Sequence, residues 1–174
     1  MEEIDRMYME HPLLAFSFYT HVQCEITRRL GHELLTSLET AIAPDSVDAT
    51  VLDRAYGQFW LWVLGAYEIT RTMSHAEACF SPAVAKNVLD FKRRITRLRI
   101  PFAKQEYAGR ETVLLGADAS ISGIDRQKRD MTFNVRGDVF SARGLVADFD
   151  ALISSIKPAD VLHRHGWRER RGIS

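Results

Sequence analysis

Residues 81–104 read SPAVAKNVLDFKRRITRLRIPFAK, and their periodicity decides the fold class. Val84, Val88, Phe91, Ile95, Leu98 and Phe102 recur at alternating intervals of four and three. That is heptad-type spacing, the pattern of a helix that buries one narrow seam against neighbouring helices. Ser81 followed by Pro82 is a start signal: a hydroxyl to cap the first amides, then a residue whose fixed φ suits the first turn. Arg93, Arg94 and Arg97 fall off the seam, on the face expected to stay wet. Pro101 has no amide hydrogen and is expected to end or kink this helix near residues 98–100.

Working outward, Val51, Tyr56, Phe59, Trp60, Val63, Leu64 and Tyr67 predict a broadly apolar helix, as for the central member of a bundle. Its cap is expected at Asp45 or Ser46 and its end near Ser74. Earlier still, Pro12 suits a first helical turn, and Leu14, Phe18, Val22, Ile26, Leu30, Leu34 and Leu38 recur every four residues up to Pro44. A four-residue repeat drifts by about 40° per step against a 3.6-residue turn, so this stripe is expected to wrap around its helix. On the other side, Met131-Thr132-Phe133-Asn134-Val135, Arg136-Gly137 and Asp138-Val139-Phe140-Ser141 predict a β-hairpin with a tight turn. Residues 112–121 are a candidate further strand. Ser141 then caps a last helix carrying Leu145, Phe149, Leu152 and Ile156 on one face, with Pro158 beyond its end. The predicted fold is mainly α: a bundle of about four long helices with a small β-hairpin insertion before the last helix. Residues 1–158 form one domain, with the insertion at 112–141, and residues 159–174 read as a basic flexible tail.

The 174 residues suffice for one domain with a sizeable core, and 46% hydrophobic with 26% charged residues is an ordinary globular composition. Lys+Arg 23 balances Asp+Glu 23, which removes any whole-chain charge argument for nucleic-acid binding. The charge is nevertheless uneven. Residues 86–110 hold eight cations against Asp90 and Glu106, and residues 1–10 are acidic. Two cysteines, Cys24 and Cys79, make no disulfide framework and point to a reducing compartment. The longest apolar run, residues 59–67, has nine residues, whereas a bilayer span takes about 20. No signal-peptide pattern opens the chain, so a cytoplasmic protein with no membrane partner is expected.

Arg99-Ile100-Pro101-Phe102-Ala103-Lys104 resembles the signature of HEPN-fold domains, small helical bundles of bacterial toxins, antiphage systems and nucleotide-binding partners. The family pattern is an arginine, usually a polar residue, a few more residues, and a histidine often preceded by alanine. Ala103 precedes Lys104 here. The aromatic helix around Phe59-Trp60-Leu61-Trp62 resembles the one that supports this site in divergent members. The likeness spans residues 12–106 in architecture and residues 99–104 in motif. In the family's ribonucleases the histidine activates a ribose hydroxyl and the arginine holds phosphate. Lys104 stands at the histidine position, and an ordinary lysine, with a pKa of about 10.4, is protonated at neutral pH and accepts no proton. A role as base would require a depression of about three units through burial or close cations such as Arg99. Ile100 replaces the usual polar residue, and Pro101 alters the local backbone.

The resemblance therefore implies a catalytically inactive relative that binds RNA, a nucleotide or another phosphate-bearing ligand, or acts as a regulatory partner in a toxin or defence system. It also implies a homodimer, since the family pairs two motifs across one groove. Arg99 would grip phosphate through planar bidentate bonds and Lys104 as a point charge, with Arg97 and Arg94 adding field. Glu68, sharing a helix face with Arg71, would orient Arg99 from behind.

Blander readings stand beside these. Arg99 caps carbonyls or pairs with Glu68 or Glu106, Lys104 is solvated, and Glu68–Arg71 only fixes helix register. A protein-interaction module without a ligand site would use Trp60, Trp62 and Tyr67 as its interface. A metal-independent ribonuclease would need His75, four residues after Arg71, or a perturbed Lys104 as base. His21, Cys24 and Glu25 share a helix turn, but Cys24 reads as packing, and no Cys-x-x-Cys, Glu-x-x-His or phosphate-loop pattern occurs. No metal and no cofactor is expected.

Overall fold

The computed structural model describes residues 3–104, 106–107, 110–113 and 120–166. Its long elements are α3 (Phe18–Ala41), α4 (Ala49–His75), α5 (Pro82–Lys104) and α6 (Ala142–Ser154), preceded by α1 (Glu3–Glu10) and α2 (Pro12–Phe16). Between α5 and α6 lie the strands β1 (Glu106–Tyr107), β2 (Arg110–Val113), β3 (Gly123–Asp125), β4 (Asp130–Val135) and β5 (Asp138–Ser141). The chain is thus a mainly α bundle of four long helices with a small antiparallel sheet before the last.

α3, α4 and α5 pack side by side with α4 in the middle. α6 and the β3–β4–β5 sheet cover the inner side of α4: Trp62 meets Phe149 edge-on at 5.8 Å, and Phe59 stacks on Phe133 at 4.8 Å. All three helices of the layer obey four-three spacing. α5 buries Val84, Val88, Phe91, Ile95, Leu98 and Phe102, as its sequence predicts. α4 buries Ala55, Phe59, Trp62, Ala66, Ile69 and Met73 on that spacing, with Val63 and Thr70 buried beside the seam, as its broadly apolar sequence predicts. α3 buries Thr20, Cys24, Thr27, Gly31, Leu34, Leu38 and Ala41.

Four expectations are corrected. The every-fourth-residue stripe of α3 does not follow the core: Phe18 is 62% and Ile26 55% exposed. The expected drift of that repeat carries Phe18 and Ile26 off the packed face, where Thr20, Cys24, Thr27 and Gly31 form the contact instead, while Leu34 and Leu38 of the same stripe stay buried. The helix expected from Pro12 is also two helices, broken where Ser17 turns extended (φ −163°) and its hydroxyl accepts from the Thr20 amide at 3.3 Å. α4 is capped by Asp48, not Asp45 or Ser46; one carboxylate oxygen accepts from the Thr50 and Val51 amides at 2.9 and 3.1 Å. Finally, α5 does not stop before Pro101 but runs through it to Lys104. Proline removes one amide bond there and crowds the carbonyl four residues back, but its ring is buried with Leu98 and Phe102 in the core, and that packing offsets the cost. The Trp60 indole N–H donates to the Phe102 carbonyl at 3.0 Å and satisfies one of the helix's terminal acceptors.

The hairpin forms as expected, with Phe133 opposite Phe140 and Val135 opposite Asp138. Arg136 (φ 56°) and Gly137 (φ 86°) make its two-residue turn, both left-handed as a type I′ turn demands. The third strand of this sheet is β3; of the expected strand at 112–121, Thr112 and Val113 lie in β2, paired with β1, and residues 114–119 lie outside the described residues. Ser141 caps α6, accepting from the Gly144 amide at 2.8 Å. Buried Asp130 joins the sheet to that helix start, accepting from the Ser141 hydroxyl at 2.5 Å and the Arg143 amide at 3.0 Å. The segment after residue 158 is tied down as far as His165, whose amide donates to the Phe16 carbonyl at 2.7 Å and whose ring lies 5.1 Å from Phe16.

Candidate functional site

The cations of α5 divide into two groups. Lys86 and Arg93 pair with Asp90 at 2.7 and 3.7 Å. The Lys86 hydrogen bond holds the Asp90 carboxyl below its ordinary range. Arg94 pairs with Asp148 of α6 at 2.5 Å and lies over the Phe91 ring, and Arg97 pairs with Asp138 of β5 and lies over Phe140. Arg94 and Arg97, expected to add field for a phosphate, instead clamp α5 to the second layer, with a carboxylate beside each charge.

Arg99 is different. Its guanidinium lies over the Tyr67 ring of α4, 4.8 Å from the centroid. Its Nε is buried and has no hydrogen-bond partner, and no carboxylate pairs with it among the described residues. Glu68, the expected orienting group, is turned to Arg71 at 2.7 Å. Lys104 is exposed at the end of α5, not at the buried position that a role as base calls for. Because the helix is unbroken at Pro101, five positions separate Arg99 from Lys104 by about 140° around the axis, so the two cations do not share one face. Trp60, 37% exposed, stands against the end of α5 through its bond to Phe102. Two aromatic rings near this end of α5 are therefore supplied by α4, Tyr67 beneath Arg99 and Trp60 beside the helix end. His75 is exposed at the far end of α4, eight residues or about 12 Å along the axis from Tyr67.

A second polar constellation escaped the sequence. A cleft of about 390 Å³ opens between α1–α2, α3 and the segment after α6, lined by Glu10, His11, His21, Glu25, Arg28 and Lys157 among others. The His11 and His21 rings are 5.0 Å apart. Burial draws the His21 pKa below its usual value, Glu25 opposes this, and His11 adds to it. Arg28 is engaged by Asp150 and Ser154, both at 3.3 Å, and by Glu25 at 3.5 Å. Nothing periodic links His11 to His21; only the break at Ser17 folds α2 back to bring them together. Cys24, one turn from His21, is fully buried and its thiol is pushed up to about 12 by that burial, so it is packing. Among the described residues no group of three or more His, Cys, Asp or Glu side chains is placed to hold a metal ion, and no helix is long and apolar enough to cross a membrane.

Comparison with protein-family models, curated proteins and solved structures finds no match for this chain.

Proposed function

We propose that this chain is a catalytically inactive, HEPN-like helical protein that binds RNA, a nucleotide or another phosphate-bearing ligand along the edge shared by α4 and α5. The observation that carries this reading is the state of Arg99: stacked on Tyr67, with no carboxylate partner among the described residues, its Nε buried and unpartnered among them, while Arg93, Arg94 and Arg97 of the same helix are all paired. A guanidinium held flat on an aromatic ring keeps its planar N–H edge for an oxyanion. The exposed edge of Trp60 offers a face on which a base can stack, and Lys104 adds positive charge at the helix end. The lysine in place of histidine, exposed as it is, supports holding over cleavage.

The test is fluorescence anisotropy of a short labelled RNA across a salt series, with a gel on the same samples. Wild type should bind more weakly as salt rises, with the RNA intact. Arg99→Ala/Lys104→Ala should weaken binding about tenfold or more while the thermal melt stays put, since charge-assisted bonds contribute about 1.5–3 kcal/mol each. No binding at low salt, or equal binding by the double variant, would overturn the assignment. Shortened RNA would overturn the inactive reading.

A further inference from the structure

α4 is covered on one side only. Its seam faces Phe133 and Phe149, and its flanks meet α3 and α5. The side opposite the seam presents Leu61, 52% exposed, and Gly57, where an added Cβ would meet nothing within 4 Å. Ile26 of α3, 55% exposed, adds to the uncovered apolar surface of the same layer. On a regular helix Thr50, Arg54, Gly57, Leu61, Gly65, Glu68 and Thr72 fall within about 40° of one line.

That line has a symmetry. Counted outward from Leu61, glycine stands at four residues in either direction and threonine at eleven. At seven stands Arg54 on one side and Glu68 on the other. A stripe of this kind is its own complement under a two-fold axis through Leu61, the defining property of an isologous contact. Antiparallel packing sets each Arg54 against Glu68 of the other copy and brings each Gly57, whose outer side is open, near Gly65 of the other copy, which itself packs against Thr27 of α3. Parallel packing would set arginine on arginine and glutamate on glutamate. Arg54 is exposed and has no ion-pair partner among the described residues, and Glu68 keeps 47% of its side chain exposed beside Arg71.

We infer that a second copy of this chain covers the outer face of α4, the two helices crossing antiparallel at Leu61. This rests on the charge complementarity and the exposed apolar centre, not on the ligand proposed for Arg99.

Sedimentation or light scattering over roughly 1–100 μM should show the mass rising from the 19.8 kDa chain towards twice that value. Arg54→Glu and Glu68→Arg should each weaken association about tenfold or more, because two symmetry-related pairs turn repulsive at once. The double variant should restore it, a recovery that loss of the Glu68–Arg71 pair alone cannot produce. Leu61→Cys should form a covalent dimer on mild oxidation, while Lys86→Cys on α5 and wild type, whose Cys24 and Cys79 are buried, should not. Arg54, Leu61 and Lys86 are exposed and Glu68 keeps 47% of its side chain exposed, so each variant should keep the fold, read as unchanged melts at concentrations where wild type is a monomer. A monomer at every concentration, a dimer indifferent to both single reversals, or a Leu61→Cys chain that resists cross-linking would overturn the interface. RNA anisotropy reads the Arg99 edge separately.

Discussion

α5 and α3 flank the same central helix with the same spacing, yet their seams share hardly a residue type. α5 sends valines, isoleucine, leucine and two phenylalanines into the core, while the first half of the α3 seam is Thr20, Cys24, Thr27 and Gly31. The volume α3 lacks is supplied across the contact. A Cβ on Gly31 would stand 3.1 Å from the Trp62 indole nitrogen and 3.0 Å from a Val146 methyl, so the ring and the valine occupy the room a side chain would take. What a helix buries is set by its phase towards its neighbour; how large the buried residues are is set by the neighbour's own side chains.

Four experiments break or sharpen that contrast. The largest effect should come from Trp62→Ala, about 3–5 kcal/mol, with Leu98→Ala of α5 at about 2–5, both read by urea unfolding with unchanged slope. If Trp62→Ala costs no more than a surface change, the small seam of α3 does not depend on it. Gly31→Leu should cost about 1–3 kcal/mol by overpacking, whereas Gly57→Ala, with open space, should gain about 0.5–1 from helix propensity in dilute solution. Equal signs would erase the distinction between the inner and outer faces of the layer. Phe18→Ala and Ile26→Ala, large residues of the misleading stripe, should each stay within about 0.5 kcal/mol. A loss like that of Leu98→Ala would return them to the core.

The smallest effect concerns pH. Burial lowers the His21 pKa, so the unfolded chain takes up protons first as pH falls through about 6.5. The stability linked to His21 is complete above that value and declines below it, down to the native pKa. His21→Gln should flatten the decline between pH 7 and 5 in urea midpoints. The carboxylates of Glu39, Asp90 and Asp160 are held low, chiefly by hydrogen bonds from Arg129, Lys86 and Ser81. Their contribution is full above about pH 4 and is lost below the ordinary carboxylate range.

α5, the hairpin and the start of α6 were legible because each carries its own signal: large apolar residues in phase, a turn dipeptide, a hydroxyl cap. The contact face of the first half of α3 was not, because apolar periodicity registers size, and its contact residues there are Thr20, Cys24, Thr27 and Gly31; only Leu34 and Leu38 of the second half stood out in the sequence. The continuation of α5 through Pro101 depends on packing that only the fold supplies. At the candidate site the sequence singled out Arg99, but not what surrounds it. Tyr67 lies on another helix, the acidic partners Asp138 and Asp148 are more than forty residues away, and His11 meets His21 only through the break at Ser17.

Trp60 and Trp62 are two positions apart and face opposite ways, and this makes α4 a two-channel optical probe. Trp62 is sealed from water between Phe59 and Phe149. Trp60 is wet and tethered to the last turn of α5 through Phe102. Emission from the sealed indole should shift only when the core opens. Emission and quenching of the wet one should respond to fraying of the α5 terminus, or to a ligand arriving there, with the fold intact. With Trp167 also replaced by phenylalanine, replacing either Trp60 or Trp62 in turn separates the two signals.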